Sequence, residues 1–292
     1  MWSLPPRARA WLAGTALAVT ACQAPRAPAR APDWLVDPRP YRAALRQQGN
    51  RIVLANGLVA RTFVLEPNLA CVALDQLSSG QTVLRAVEPE AVLVVDGTEL
   101  AVGGLVGQPD RGFLREEWLV SMTADPRAFR LRSWWQEAVE ERLAWRRGRG
   151  DEGRPWPPAG VRVVFELAPP PSAGNLAGLV VRVHHQLLDG LPLFSKWIEV
   201  ENRGPNALTL ERYESERLAA VEPGSAVEFQ ARWPEQALLA FSDYSMGGRD
   251  RGVEWRTDPG FTTQVSYRLE TPCLLVARPE LGPAPPSLPS LF

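Results

Sequence analysis

The chain has 292 residues, 45% of them hydrophobic and 22% charged, with a formal net charge of −1. That composition belongs to an ordinary globular protein and excludes bulk disorder, while the near-neutral balance excludes the basic excess of a nucleic-acid-binding protein. Arginine has almost displaced lysine, and Lys196 is the only lysine in the chain.

The first residues, MWSLPPRARAWLAGTALAVTACQAP, place Arg7 and Arg9 ahead of an apolar run over residues 11–19 and then small side chains. The run is too short to span a bilayer and predicts a secretory signal over residues 1–21. Val19-Thr20-Ala21-Cys22 resembles the lipobox of bacterial lipoproteins, which implies lipid attachment at Cys22 and an exported, membrane-anchored protein of a bacterial cell envelope. Without Arg7 and Arg9 the balance is 30 basic against 33 acidic residues. Export permits a disulfide between Cys71 and Cys273. Each lies in an apolar strand-like run, so two buried free thiols are an equally open alternative.

Residues 22–48 are rich in Pro, Ala and Arg, which predicts an extended tether, with ordered structure from residue 49. There RIVLANGLVARTFVL sets Asn56-Gly57 between two apolar runs, a tight hairpin signal. LACVALDQL and TVLRAV, around Ser78-Ser79-Gly80, predict two more strands, and AVLVVDGTELAVGG repeats the hairpin device with Asp96-Gly97. Residues 110–160 mix periods. Trp135, Val139 and Leu143 are spaced for successive helical turns, yet residues 129–135 alternate like a strand, and a short helix is expected in this middle region. The basic run Arg146-Arg147-Gly148-Arg149-Gly150 is followed at once by Asp151 and Glu152, and reads as a solvated loop. Pro155, Pro157 and Pro158 hold Trp156 on an extended, loop-like backbone.

From residue 161 the β pattern resumes with VRVVFEL, and residues 180–200, VVRVHHQLLDGLPLFSKWIEV, carry the clearest hairpin signal, Asp189-Gly190. A two-residue turn there puts His185 opposite Phe194, Val183 opposite Lys196 and Val181 opposite Ile198. Both strands then present their apolar sets on one face. NRGPN at residues 202–206 reads as a turn, with strands expected at LTLERYE, AVEFQAR, QALLAFS, TQVSYRL and PCLLVAR and a proline-rich tail over residues 281–292. The expected fold over residues 49–280 is all-β and mainly antiparallel, with sheets packed face to face.

This register sets Lys196 on the apolar face, between Phe194 and Ile198, where an unpaired ammonium is costly. A carboxylate partner, Glu211 or Glu214, is expected. A donor role toward a sugar hydroxyl and an edge-protecting charge are the other readings. A single ion pair predicts that Lys196→Met is tolerated.

No metal or cofactor site is expected, because the only histidines, His184 and His185, are adjacent on a strand and point to opposite faces. For the same reason they cannot close on one sugar ring, and His185 is expected as a hydrogen-bonded core residue. No G-x-S-x-G elbow is present, and Gly103-Gly104 and Gly247-Gly248 lack the strand-to-helix setting of a phosphate loop. No catalytic residue is assigned. Nine of the eleven tryptophans follow the signal, and flat indole faces suit sugar rings. Trp134, Trp135 and Trp156 in the middle region, with Lys196, are the candidate carbohydrate-binding residues.

The segments ANGLVARTFVLEPNLACVALDQLSSGQTVLRAV, PEAVLVVDGTELAVGGL, GRPWPPAGVRVVFEL and LDGLPLFSKWIEVENRG resemble the N-terminal β-supersandwich region of bacterial proteins similar to family 36 glycoside hydrolases, the α-galactosidase-like enzymes. The resemblance covers residues 50–280 and rests on structural motifs. It implies a galactose-mutarotase-like β-supersandwich and a carbohydrate-related role, as a non-catalytic accessory or substrate-contacting region with an oligo- or polysaccharide as partner. In that family two aspartates of a following TIM barrel perform hydrolysis, and a barrel takes about 250 residues. No position here matches those aspartates, so this chain alone is not expected to be an enzyme. A separate catalytic barrel is the implied partner, and a structural cell-envelope lipoprotein or one part of a split hydrolase are the alternatives.

Overall fold

Alternation broken by turn residues becomes strand pairing through most of residues 32–141 and 155–220, which the computed structural model describes together with four later strands. The first sheet is a meander of β1 (Ala44–Gln48), β2 (Arg51–Ala55), β3 (Val59–Val64), β4 (Ala70–Gln76) and β5 (Gln81–Thr82), each antiparallel to the next. Strand β1 falls inside the stretch expected as a tether, so pairing starts earlier than residue 49. Its partner β2 begins after the two turn residues Gly49 and Asn50, and the Gly49 φ of 57° fits a tight turn. At Asn56-Gly57 the hairpin forms as expected, with glycine at positive φ in the first loop position.

After β6 (Leu84–Ala86) come β7 (Ala91–Val95) and β8 (Thr98–Val102). Asp96 and Gly97 both have positive φ, 46° and 73°, as a type I′ turn requires. Within the middle region Arg130–Glu137 forms a strand, β9, and helical geometry appears ahead of it, as a 3-10 turn at Glu116–Val120. The alternation of residues 129–135 prevails because β10 (Gly160–Ala168) supplies a hydrogen-bonding partner along the whole strand. Helical geometry among the described residues is confined to 3-10 turns at Glu116–Val120 and Pro171–Leu176. Leu143 and the basic run at 146–150 lie outside the described residues, as do Cys22 and the signal.

β11 (Leu179–Leu188) and β12 (Phe194–Asn202) complete a four-stranded antiparallel sheet ordered β12-β11-β10-β9. Their register differs from the expected one by two residues: His185 faces Lys196, Val183 faces Ile198 and Leu187 faces Phe194. The connection spans residues 189–193 because Asp189 and Gly190 are engaged by the segment leading into β1. Asp189 accepts from Ala43 N at 2.7 Å and Arg42 Nη1 at 2.8 Å, and Gly190 N donates to Tyr41 O at 2.6 Å. A shift of two keeps every side chain on its expected face, since the strand period is two.

Beyond the turn at 202–206, β13 (Leu210–Glu214) joins β7 and β8 in the order β13-β7-β8. The chain bends at Ser215 into β14 (Glu216–Ala220), which pairs with β6 and with β17 (Val265–Leu269). β16 (Val253–Thr257) flanks β17, and β15 (Leu238–Ser242) pairs with β18 (Cys273–Ala277). The expected strand AVEFQAR lies outside the described residues. The fold is all-β and mainly antiparallel.

Ile52, Leu54 and Phe63 of the first sheet and Val163, Phe165, Val183 and Leu187 of the four-stranded sheet share one fully buried core. The Phe63 and Phe165 rings meet at 5.0 Å, and His185 lies 4.7 Å from Phe63. The apolar area removed from water at this junction drives the two sheets together.

Candidate functional site

Inside that core sits a closed group of ionisable side chains. The ladder between β3 and β4 shifts register between Thr62 and Phe63, and Cys71 N donates to Glu90 Oε1 at 2.9 Å. The other oxygen, Glu90 Oε2, is 3.1 Å from both His185 Nε2 and Lys196 Nζ. Lys196 also donates to the Glu90 backbone oxygen at 2.6 Å and to Glu216 Oε1 at 2.8 Å. Arg61 grips Glu216 with two nitrogens, at 2.7 and 3.0 Å, and donates through Nε to Cys71 Sγ at 3.3 Å. Two cations and two carboxylates thus balance to zero. Lys196 is paired, as expected, but by Glu90 and Glu216. Glu211 instead accepts from Gly97 N, and Glu214 from Arg217.

The protonation states follow. Burial alone would raise the Glu90 pKa, but Lys196, His185 and Arg61 hold it well below the usual range. For Glu216, Arg61 and Lys196 likewise overcome burial and lower it. Burial works against the Arg61 cation, while Cys71, Glu216 and Glu90 raise its pKa well above the ordinary value. At neutral pH the carboxylates supply that counter-charge, because burial pushes the Cys71 thiol up to about 11. Cys71 is a free thiol. Burial, then Arg61, brings the His185 pKa down to about 4. His185 is therefore neutral, its Nε2–H donates to Glu90, and its buried Nδ1 has no hydrogen-bond partner among the described residues. Every charge here is spent on another side chain, the pattern of a structural network.

The opposite face of the four-stranded sheet is different in kind. Trp135, Val164, His184 and Trp197 make one row across its four strands. His184 stacks on Trp197 with centroids 4.8 Å apart and planes 5° apart. Burial lowers the His184 pKa, opposed by Glu199, whose Oε1 is 3.4 Å from Nε2. Trp135 and Trp197 remain half-buried. Beside them, Arg162 lies over the Trp197 ring at 5.6 Å and is held by Glu137 and Glu140, while Trp135 Nε1 donates to Glu137. On the other flank Arg182 bonds Glu166 and Glu201, and Arg203 and Arg182 bring the Glu201 pKa down to about 2.

The four candidates from the sequence do not converge. Trp135 is on this outward face, whereas its neighbour Trp134 packs against the core. Lys196 is inside the buried network, and Trp156 sits half-buried in the loop before β10. Trp197 and Arg162 were not singled out, although Trp197 has outward parity in the hairpin pattern. Arg61, Glu90 and Glu216 were missed as well. The available signal was a charge at core-facing parity, as with Arg61 two residues before Phe63. Among the described residues, no group of three or more His, Cys, Asp or Glu could hold a metal.

No protein-family model, curated protein or solved structure matches the chain. Its chemistry is therefore read from these two faces of one sheet.

Proposed function

We propose that the chain is an exported, lipid-anchored, non-catalytic carbohydrate-binding β-sandwich, galactose-mutarotase-like in type and related to the accessory region of α-galactosidase-like glycoside hydrolases. The observation that carries this reading is the pair of half-buried indoles, Trp135 and Trp197, at the two ends of a row whose inner members Val164 and His184 are buried, bordered by oriented carboxylates and guanidiniums. Indole faces suit the C–H faces of sugar rings, and fixed Glu and Arg groups suit vicinal hydroxyls, which ask for paired donors and acceptors. A general acid or base must reach the substrate proton. Glu90 and Glu216, whose pKa values are strongly perturbed, are instead enclosed and bonded to Arg61, His185 and Lys196. The lipobox-like Val19-Thr20-Ala21-Cys22 supports a role at a cell surface, and the lipidation it implies at Cys22 is checked by mass spectrometry of the mature N-terminus.

A panel of galactose- and glucose-containing oligosaccharides, titrated while tryptophan fluorescence is recorded, tests the binding. At least one glycan should perturb the emission, and W135A and W197A should each weaken that glycan by about tenfold, the scale of one stacking contact. If no glycan binds the folded protein, the reading gives way to a purely structural envelope lipoprotein.

A further inference from the structure

On the outer face of the four-stranded sheet, the ion network on the β12 side does not balance. Arg182 and Arg203 are shared among Glu166, Glu199 and Glu201. Both guanidiniums bond Glu201, at 2.8 Å each, and Arg182 Nε donates to Glu166 at 3.2 Å. Glu199 is left over. Its nearest guanidinium nitrogen, Arg182 Nη1, is 3.6 Å away, and the Glu199 carboxylate accepts no hydrogen bond among the described residues. Three carboxylates against two guanidiniums leave one negative charge, and it resides at Glu199.

The side chains behind Glu199 do not neutralise it. Trp197 and Glu199 are two apart on β12 and project from the same face. His184, opposite Trp197 on β11, turns Nε2 toward Glu199 Oε1 at 3.4 Å, yet neither ring nitrogen of His184 makes a hydrogen bond among the described residues. Burial lowers the His184 pKa, so at neutral pH the imidazole adds no positive charge. The His184 side chain is 5% exposed and that of Glu199 48%, so a ligand can reach the carboxylate from its outer side while the buried imidazole occupies its inner side.

An ammonium fits this position. It brings a compact positive charge with three donors, whereas a hydroxyl donates one hydrogen bond and leaves the charge in place. An anionic group would be repelled. Indole is also the aromatic ring that best attracts a cation. The cation already beside Trp197, Arg162 at 5.6 Å from the ring, is itself held by Glu137 and Glu140.

We infer that the sugar taken up on this face is an amino sugar, whose ammonium is received by Glu199 beside Trp197. The inference rests on the carbohydrate reading above and names its ligand class.

The test is calorimetric titration of the full chain with matched oligosaccharides of the glucose and the galactose series, each carrying a hydroxyl, an acetamido group or a free ammonium at the carbon next to the anomeric centre. Ethanolamine serves as an amine without a sugar ring. Glu199→Gln removes the charge and keeps the shape, and Glu117→Gln, on the 3-10 turn of residues 116–120, is the control; circular dichroism verifies that both are folded. In one series the ammonium form should bind the wild type at least about fivefold more tightly than the hydroxyl form, with a margin that shrinks as salt is added. Glu199→Gln should reduce that preference to less than about twofold, and Glu117→Gln should leave it unchanged. If the hydroxyl or acetamido forms bind as well as the ammonium form, the amino sugar is overturned and the carbohydrate reading stands. A preference that survives Glu199→Gln overturns the assignment to Glu199. Ethanolamine binding as tightly as the ammonium oligosaccharides overturns the sugar part of the inference. If no saccharide binds, both readings fail together.

Discussion

Lys196 Nζ lies 3.1 Å from Glu90 Oε2 and 2.6 Å from the backbone oxygen of the same residue, so a single residue provides two of its acceptors. Glu90 immediately precedes β7, and Lys196 is the third residue of β12. The contact therefore ties the four-stranded sheet to the sheet β13-β7-β8, and Glu216 extends the tie to β14.

The four-charge network changes what substitution of the lysine should do. In a lone pair, Met could replace Lys196 at little cost. Here Lys196→Met leaves Glu90 and Glu216 facing Arg61 alone, with one negative charge uncompensated in the core, and a loss of about 3–5 kcal/mol is expected. Adding Glu90→Gln restores the charge balance and should recover part of that loss. Urea denaturation of the two single variants and the double variant gives the coupling directly.

The same groups set the pH dependence. The native His185 pKa of about 4 is below the ordinary 6.5, so between these values the unfolded chain binds a proton that the native protein does not. Stability is complete above pH 6.5 and should fall by about 3 kcal/mol as the pH drops to 4. Below about 4.5 the lowered pKa values of Glu90 and Glu216 add to the loss, with the same sign. Cys71 acts in reverse. Its native pKa of about 11 exceeds 9.0, so its contribution is full below pH 9 and should fade by about 2–3 kcal/mol toward pH 11. Chemical denaturation across this range checks both limbs. His184 is also shifted downward, so His185→Gln should flatten the acid limb between pH 4 and 6.5 only in part.

Asn56 illustrates what the sequence could and could not yield. Its place before Gly57 marked a hairpin, and the hairpin is there. Its second role depends on residues over a hundred positions away: Nδ2 donates to Leu188 O at 3.0 Å and Leu191 O at 2.7 Å, while Oδ1 accepts from Leu58 N and Val59 N. Local periodicity and turn chemistry are short-range signals, and they sufficed for most strands and for the face each side chain occupies. The Asp189-Gly190 register required knowing that the segment before β1 docks on that turn. In the same way, Lys196 could be placed on the inner face from parity alone, but Glu90 and Glu216 could not be named as its partners, because they are separated from it by 106 and 20 positions.

Asn56→Ala would strand all four of these partners at once. At about 1–3 kcal/mol for a buried polar group left without a bond, with partial relaxation, a net loss of about 3 kcal/mol is expected. Thermal denaturation measures it, and an unchanged melting temperature would show that the loop carbonyls find other donors.

Gly190 should tolerate no side chain. Its φ is 71°, and a Cβ there would lie 2.6 Å from Pro38 Cβ. Gly190→Ala is expected to cost more than the roughly 1 kcal/mol of the backbone term alone. It should also loosen the residues docked on the turn, seen as faster amide exchange in β1.

The claim that ties these points together is that the inner face of the four-stranded sheet is structural and the outer face meets the ligand. Hydrogen exchange of the full chain, with and without the best-binding oligosaccharide, tests this most directly. The account predicts slowed exchange in peptides covering β9 and β12 and none in the peptide covering β3, which carries Arg61. Protection centred on β3, or release of a cleaved sugar that disappears on Glu216→Gln in a folded variant, would contradict it.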